Sequence, residues 1–240
     1  MCTLTFFPLA HDKFVLTTNR DEQPERKTIP PMEYNHNGTT LIYPKDQKAG
    51  GTWVGANSKG RVASLMNGGK TPHIRKESYR LSRGVVMTEL LQANDVLTFL
   101  KTFDFRGIEP FTLVLIDPQN ESNTDKFKAY ELIWDEEKLH LKTLPWETQI
   151  WSSTPLYTRK VHQNRIKWLQ QFMKETPKIT PDAIWDFHHT AGNGDKTTDF
   201  IMDRGFIHTK SITQFVNDGM IVWRYEDFGE GVYTSQQKTT

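Results

Sequence analysis

Residues 1–22 read MCTLTFFPLAHDKFVLTTNRDE, and the fold turns on how this stretch pairs with itself. Cys2 to Phe7 is rich in Thr, Leu and Phe, and Lys13 to Thr18 is a second run of strand-forming residues. Pro8 and His11-Asp12 supply turn chemistry between them, so the stretch predicts a β-hairpin. With the turn centred between Ala10 and His11, Cys2 is expected opposite Asn19, since both lie equally far from it. Arg20 and Asp21 then emerge beside the first residues of the chain.

Working outward, Pro30-Pro31 and the polar run Asn35 to Thr40 predict a surface connection, followed by a short strand at Leu41 to Tyr43. Gly50-Gly51 introduces a second hairpin: Thr52 to Gly55, a turn at Asn57-Ser58-Lys59-Gly60, and a return from Arg61 to Met66 that ends at Asn67. From Tyr79 the apolar spacing becomes helical and predicts two helices, the second capped near Asn94-Asp95. Four strands are expected at Phe111 to Ile116, Phe127 to Trp134, Leu139 to Leu144 and Thr148 to Ser152, as an antiparallel meander. Helices follow over Leu156 to Lys174 and from Thr180-Pro181 to His189, the latter with a Thr cap and Pro at its first position. A hairpin of Ser211 to Val216 and Met220 to Tyr225 comes last. Strands, helices, strands, helices and strands in that order suit two antiparallel sheets flanked by helices, an α+β class, better than a parallel wind.

The charges nearly cancel, 30 Lys+Arg against 29 Asp+Glu, which leaves no field to attract nucleic acid or an anionic membrane. With 36% hydrophobic residues, 14 Phe and 7 Trp, the chain has the apolar mass for a packed core, which excludes intrinsic disorder. At 240 residues the expectation is one domain over 1–240, without repeats or a Pro, Gly or Ser linker. The most apolar stretch, Phe111 to Ile116, is strand-sized and far short of the roughly 18 residues of a membrane span. The N-terminus has no basic region, apolar core or small-residue cleavage site, so a cytoplasmic location is expected. A single cysteine forms no internal disulfide.

That cysteine is Cys2. Removal of Met1 is expected ahead of so small a residue, and it leaves Cys2 with a free α-amine. A thiol of pKa about 8.5 and an α-amine of about 7.7–8.0 both titrate near neutrality, so the amine can take the thiol proton without a histidine. Such chemistry needs a partner to fix the amine, donors for an oxyanion, and a polar wall for the substrate. Asp21, placed by the hairpin beside Cys2, suits the first part. The alternative readings are a small hydrophobe at a strand start for Cys2, and a solvated charged turn for Asn19-Arg20-Asp21-Glu22.

Cys2, Asn19-Arg20-Asp21-Glu22, Gly50-Gly51-Thr52-Trp53-Val54-Gly55, Ser58-Lys59-Gly60-Arg61 and Asn67 together closely resemble the NRDE family, which includes the transport and Golgi organisation protein 2 group. Through Cys2, Asp21 and Asn67 the chain also resembles the N-terminal nucleophile hydrolases of the cholylglycine hydrolase and penicillin V acylase branch. The similarity is densest over residues 2–67, with weaker similarity at Trp151 to Arg165 and Thr209 to Asp218. It implies a four-layer αββα sandwich, Cys2 as nucleophile with its own amine as base, Asp21 holding the amine, Arg20 lining the pocket and Asn67 serving the oxyanion. It also places Asn19, Ser153 and Lys210 at substrate-binding positions. Ser153 stands where the acylases carry an oxyanion Asn, Lys210 where an Arg is common, and Arg20 directly before Asp21 rather than three residues ahead.

The function expected is therefore hydrolysis of a linear amide in a small acylated substrate, with no cofactor. The alternative from another class is a carrier on the same fold, for haem or an acyl conjugate, because one branch of the family is associated with haem trafficking. Oligomeric state is not legible. His188-His189 with Asp182, Asp186 and Asp199 lacks metal-ligand spacing, since adjacent residues diverge by about 100° around a helix. Gly192-Asn193-Gly194-Asp195 reads as a turn.

Overall fold

The computed structural model describes residues 2–119, 125–229 and 231–236. In chain order the elements are β1 (Cys2–Ala10), β2 (Lys13–Glu22), β3 (Thr28–His36), β4 (Thr39–Asp46), β5 (Val54–Asn57), β6 (Val62–Asn67), α1 (Arg83–Gln92) and α2 (Val96–Thr102). They continue with β7 (Phe111–Pro118), β8 (Phe127–Trp134), β9 (Leu139–Leu144), β10 (Gln149–Ser152), α3 (Arg159–Glu175), α4 (Pro181–Thr190), β11 (His208–Asn217), β12 (Ile221–Asp227) and β13 (Gly231–Gln236). This is an α+β architecture of two antiparallel sheets and four helices. The chain resolves into two compact units, residues 2–26 with 147–236, and residues 27–146.

The first unit carries a six-stranded sheet in the order β10-β1-β2-β11-β12-β13. Its opening hairpin forms as expected but one residue out of register: Cys2 pairs with Arg20, and Thr3 with Asn19. The turn is His11-Asp12, between paired Ala10 and Lys13, and an irregularity between Pro8 and Ala10 absorbs a residue before the ladder resumes. A bulge of this kind shifts every later pair by one, and the turn residues alone do not announce it. Helices α3 and α4 open on Thr158 and Thr180, whose hydroxyls accept the amides of Val161 and Ala183. Leu169, Ile184 and Phe187 from these helices bury against Phe7 and Val15, which are paired across β1 and β2. Each such side chain contributes roughly 1.5–3 kcal/mol when taken fully out of water.

The second unit carries a seven-stranded sheet in plain sequence order, β3 to β9. Two expectations are corrected here. The Pro30-Pro31 stretch is strand β3 rather than a surface connection, and Asn37 and Gly38, at φ 50° and 83°, make the tight turn into β4. Proline is tolerated because β3 is an edge strand whose register breaks between Ile29 and Met32, so neither missing N–H is needed in the ladder. The meander runs through β9, but β10 leaves it and pairs with β1 in the first unit's sheet, Thr3 opposite Ser152. The expected β5–β6 hairpin is present, with Gly60 at φ 88° in its turn.

Helix α1 starts at the Ser82 cap and packs on β5 and β6, and α2 starts at the Asp95 cap. Gly51, in the segment leading into β5, has a packing reason: a Cβ there would lie 2.8 Å from the Gly84 Cα, so this segment and helix α1 meet backbone to backbone. Leu65, Met87, Leu90, Phe105, Phe111, Leu113 and Trp134 belong to one continuous apolar core. Among the described residues no helix is long and apolar enough to cross a membrane.

Candidate active site around Asp21

Side chains alternate between faces along a strand, so the β1–β2 register sorts the candidate residues. Thr3, Asn19 and Asp21 fall on the face that carries α3 and α4, while Arg20 falls on the opposite face. Cys2 is placed by its main chain, opposite Arg20; its side chain lies outside the described part of the structure, as does Met1.

Asp21 is completely buried at 0% exposure. The Tyr157 hydroxyl donates to its Oδ2 at 2.6 Å, and the Thr209 hydroxyl lies 2.7 Å from Oδ1. Thr209 reaches it because β11 bulges at Lys210: Thr209 faces Asp21, Ser211 faces Arg20, and the residue between has no partner in the β2 ladder. Burial pushes the Asp21 carboxyl above its ordinary range, against the downward pulls of the Tyr157 hydroxyl, the Arg165 guanidinium and the Thr209 hydroxyl. Burial, with the neighbouring Asp21 charge, pushes Tyr157 upward, so the phenol keeps its proton and remains a donor.

Arg165 projects from α3 and is likewise at 0% exposure. It donates to the Thr3 hydroxyl and to the carbonyls of Thr198 and Asp199, the last two from Nη2 at 2.9 Å each. Its guanidinium carbon stands 3.7 Å from the centroid of the Tyr157 ring, in cation–π range.

Asn19, expected at the substrate, is instead spent inside the unit. Its Nδ2 donates to the carbonyls of His188 and Phe200, and its Oδ1 meets His188 Nδ1. The other His188 nitrogen lies 2.7 Å from the Thr5 hydroxyl, and burial pushes this histidine down to about 3, with smaller pushes from His189 and Arg165. His188 is thus a neutral buried link between α4 and the sheet. Among the described residues no group of three or more His, Cys, Asp or Glu is placed to hold a metal ion.

Arg20 is buried on β2. Lys210, half-buried on β11, donates from Nζ to the Pro24 carbonyl at 2.8 Å. Ser153 is buried, and its carbonyl accepts the amides of Leu156 and Tyr157, forming the turn that brings Tyr157 to Asp21. Asn67 belongs to the second unit, where it ends β6 opposite Phe111; beyond it Gly68, at φ 89°, donates to the Pro110 carbonyl. The structure therefore gathers Asp21, Arg20 and the Cys2 main chain at one end of the β1–β2 ladder. The residues missed from the sequence are Tyr157, Thr209 and Arg165. Tyr157 and Arg165 lie in the weakly similar segment Trp151 to Arg165, and Thr209 opens the segment that follows β11's start, but no spacing rule links them to residue 21.

Among solved structures the chain is similar to a Caenorhabditis elegans N-acylethanolamine-hydrolyzing acid amidase ortholog at 11% identity and a TM-score of 0.63, covering 98% of this chain and 100% of that one. It is similar to the mutant C2A conjugated bile acid hydrolase from Clostridium perfringens at 9% identity and a TM-score of 0.60, covering 99% and 92% of the two chains. The penicillin V acylase from Agrobacterium tumefaciens matches at 11% identity and a TM-score of 0.58, covering 99% and 86%. These neighbours share the N-terminal nucleophile hydrolase fold, and at such identities the likeness establishes the fold alone. Comparison with curated protein sequences yields no match. The Transport and Golgi organisation 2 family model matches residues 1–216, across both units, and the chain belongs to that family.

Proposed function

We propose that this protein is an N-terminal nucleophile amide hydrolase acting on a small, linear acylated substrate. After loss of Met1, the Cys2 amine takes the thiol proton and the thiolate attacks the amide carbonyl. The C–N bond breaks, the leaving amine takes the proton held by the Cys2 ammonium, and an acyl-Cys2 thioester remains. Water then hydrolyses the thioester, releasing the acid and restoring the thiol. Asp21 holds the ammonium, Arg20 lines the pocket with Ser153 and Lys210, and Asn67 takes the oxyanion-donor role that the family resemblance implies.

The observation that supports this reading is the buried Asp21 carboxylate, oriented by two hydroxyls one residue beyond the pairing partner of Cys2. An amine is a main-chain group in the plane of the sheet, so a carboxylate can serve it from the face opposite Arg20. Neighbours named as a hydrolase, an amidase and an acylase favour amide cleavage.

The test is amine release from a panel of N-acyl amino acids and lactams, with intact-mass analysis of the same sample. A chain beginning at Cys2, with turnover abolished in Cys2→Ala, is expected. Active protein that retains Met1 quantitatively would overturn the mechanism. No turnover on the panel, no labelling of Cys2 by an electrophilic amide mimic, and unchanged binding of haem or an acyl conjugate to Cys2→Ser would favour the carrier.

A further inference from the structure

Arg165 is a wholly buried cation with no carboxylate among its hydrogen-bond partners in the described residues. Buried charges persist where a counter-charge or a full set of acceptors compensates lost hydration. The acceptors here are two carbonyls and the Thr3 hydroxyl, all neutral. The compensating charge lies behind an aromatic ring: the guanidinium stacks on Tyr157 at 3.7 Å, and the same Tyr157 donates its hydroxyl to Asp21 at 2.6 Å. Guanidinium, ring, hydroxyl and carboxylate form one buried series. Through Thr3, the residue after Cys2, Arg165 also ties the start of β1 to α3.

We propose that Tyr157 and Arg165 are positioning residues for Asp21: the phenol fixes the carboxylate, and the guanidinium supplies its counter-charge from behind the ring. The catalytic meaning of this relay rests on the hydrolase reading above, but its measurement does not. A protonated Asp21 has no charge with which to hold an ammonium, and burial alone favours protonation. Hydrogen bonding to the ionised form and the nearby cation oppose it.

Besides the charge of the amino terminus, which also draws the Asp21 carboxyl downward, the other charged and titratable groups around β2 sort by element. Arg20 and Glu22 are its own, His208 and Lys210 belong to β11, His162 to α3 and His188 to α4. Arg204 lies 5.4 Å from the Tyr157 ring centroid. Burial and the charge of Arg165 push His162 down, and His188 is lowered further, so neither histidine supplies the counter-charge near neutrality.

The experiment is a carbon-13 NMR titration of the aspartate carboxyls in the full-length protein, with the Asp21 signal identified by its loss in Asp21→Asn. Tyr157→Phe keeps the ring under Arg165 and removes only the hydroxyl. Loss of a donor to the charged form raises the carboxyl, so the Asp21 midpoint is expected about one pH unit higher or more. Arg165→Lys, which keeps a charge but loses the planar stack, is expected to move it less in the same direction. With an active substrate, Tyr157→Phe is expected to lower kcat about tenfold with little change in KM. An Asp21 midpoint unmoved in folded Tyr157→Phe overturns the relay, whatever the activity. If Arg165→Lys fails to fold, Tyr157→Phe alone decides. If no amide turns over, no amide mimic labels Cys2, Cys2→Ser binds haem or an acyl conjugate unchanged, and the midpoint still moves, the hydrolase reading falls and the relay stands.

Discussion

The two units use the same materials, an antiparallel sheet with a pair of helices against it, and bury opposite kinds of group. In the second unit β5 to β8 and α1 enclose an apolar core in which Leu113, Leu65 and Phe111 meet Leu90, Met87 and Trp134. In the first, Thr3, Thr5, Asn19 and Asp21 occupy the helix-facing side of the β1–β2 hairpin, and Phe7 and Val15 make the apolar contacts only toward the turn. Buried polar groups add little net stability even when paired, and they cost it when they are not. The difference teaches that the second unit seats its helices on an apolar face, while the helix-facing side of the first spends burial on orienting Asp21.

Three measurements break or sharpen this contrast. The largest effect is expected in the second unit: Leu113→Ala removes a fully buried side chain on β7 and should cost about 2–5 kcal/mol in denaturant unfolding. A loss below about 1 kcal/mol would contradict the apolar packing of that core.

The next concerns His188, which is held far below the ordinary histidine range in the folded state. A lowered folded value means that the unfolded chain binds the proton more readily. The stabilisation is therefore complete above the unfolded value of about 6.5 and drains away as pH falls toward about 3. The expected slope is at most about 1.4 kcal/mol per pH unit between those limits. His188→Gln should flatten it, and a variant with the wild-type pH dependence would remove His188 as its source.

The smallest effect tests the other face of the first sheet. The Thr18, Ser211 and Thr213 hydroxyls are buried there without a hydrogen-bond partner among the described residues, and Thr18 and Thr213 are direct neighbours across β2 and β11. Thr213→Val exchanges an unsatisfied hydroxyl for a methyl of the same shape, so it should be neutral or stabilise by up to about 1 kcal/mol. A clear loss on thermal or chemical unfolding would mean that the hydroxyl is hydrogen-bonded in solution, and the face would rank with the paired polar groups instead.

Much of the local structure was legible from residue order. The β5–β6 hairpin and the Asp95 and Thr180 caps follow from side chains that act within a few residues of themselves. Cys2 and Asp21 were legible as candidates for the same reason, since the hairpin that joins them spans about twenty residues. The strand at Pro30-Pro31 was not, because an edge position and a broken register make proline acceptable, and both are properties of the sheet.

By itself, then, the sequence determined the class of fold, the hairpin that sets Asp21 beside the chain's start, and the family motif, all of them short-range patterns. Only the tertiary structure decided that a turn one position later than expected, less the residue taken up by a bulge, sets Cys2 opposite Arg20 rather than Asn19, that β10 joins β1, and that Asn19 serves the interior. It alone brought Tyr157 and Thr209, 136 and 188 residues distant in the chain, onto the Asp21 carboxylate. The physical reason is the cost of burying a charge. Its partners must come from whichever elements pack against it, and pairing across such separations leaves no periodicity in the sequence to read.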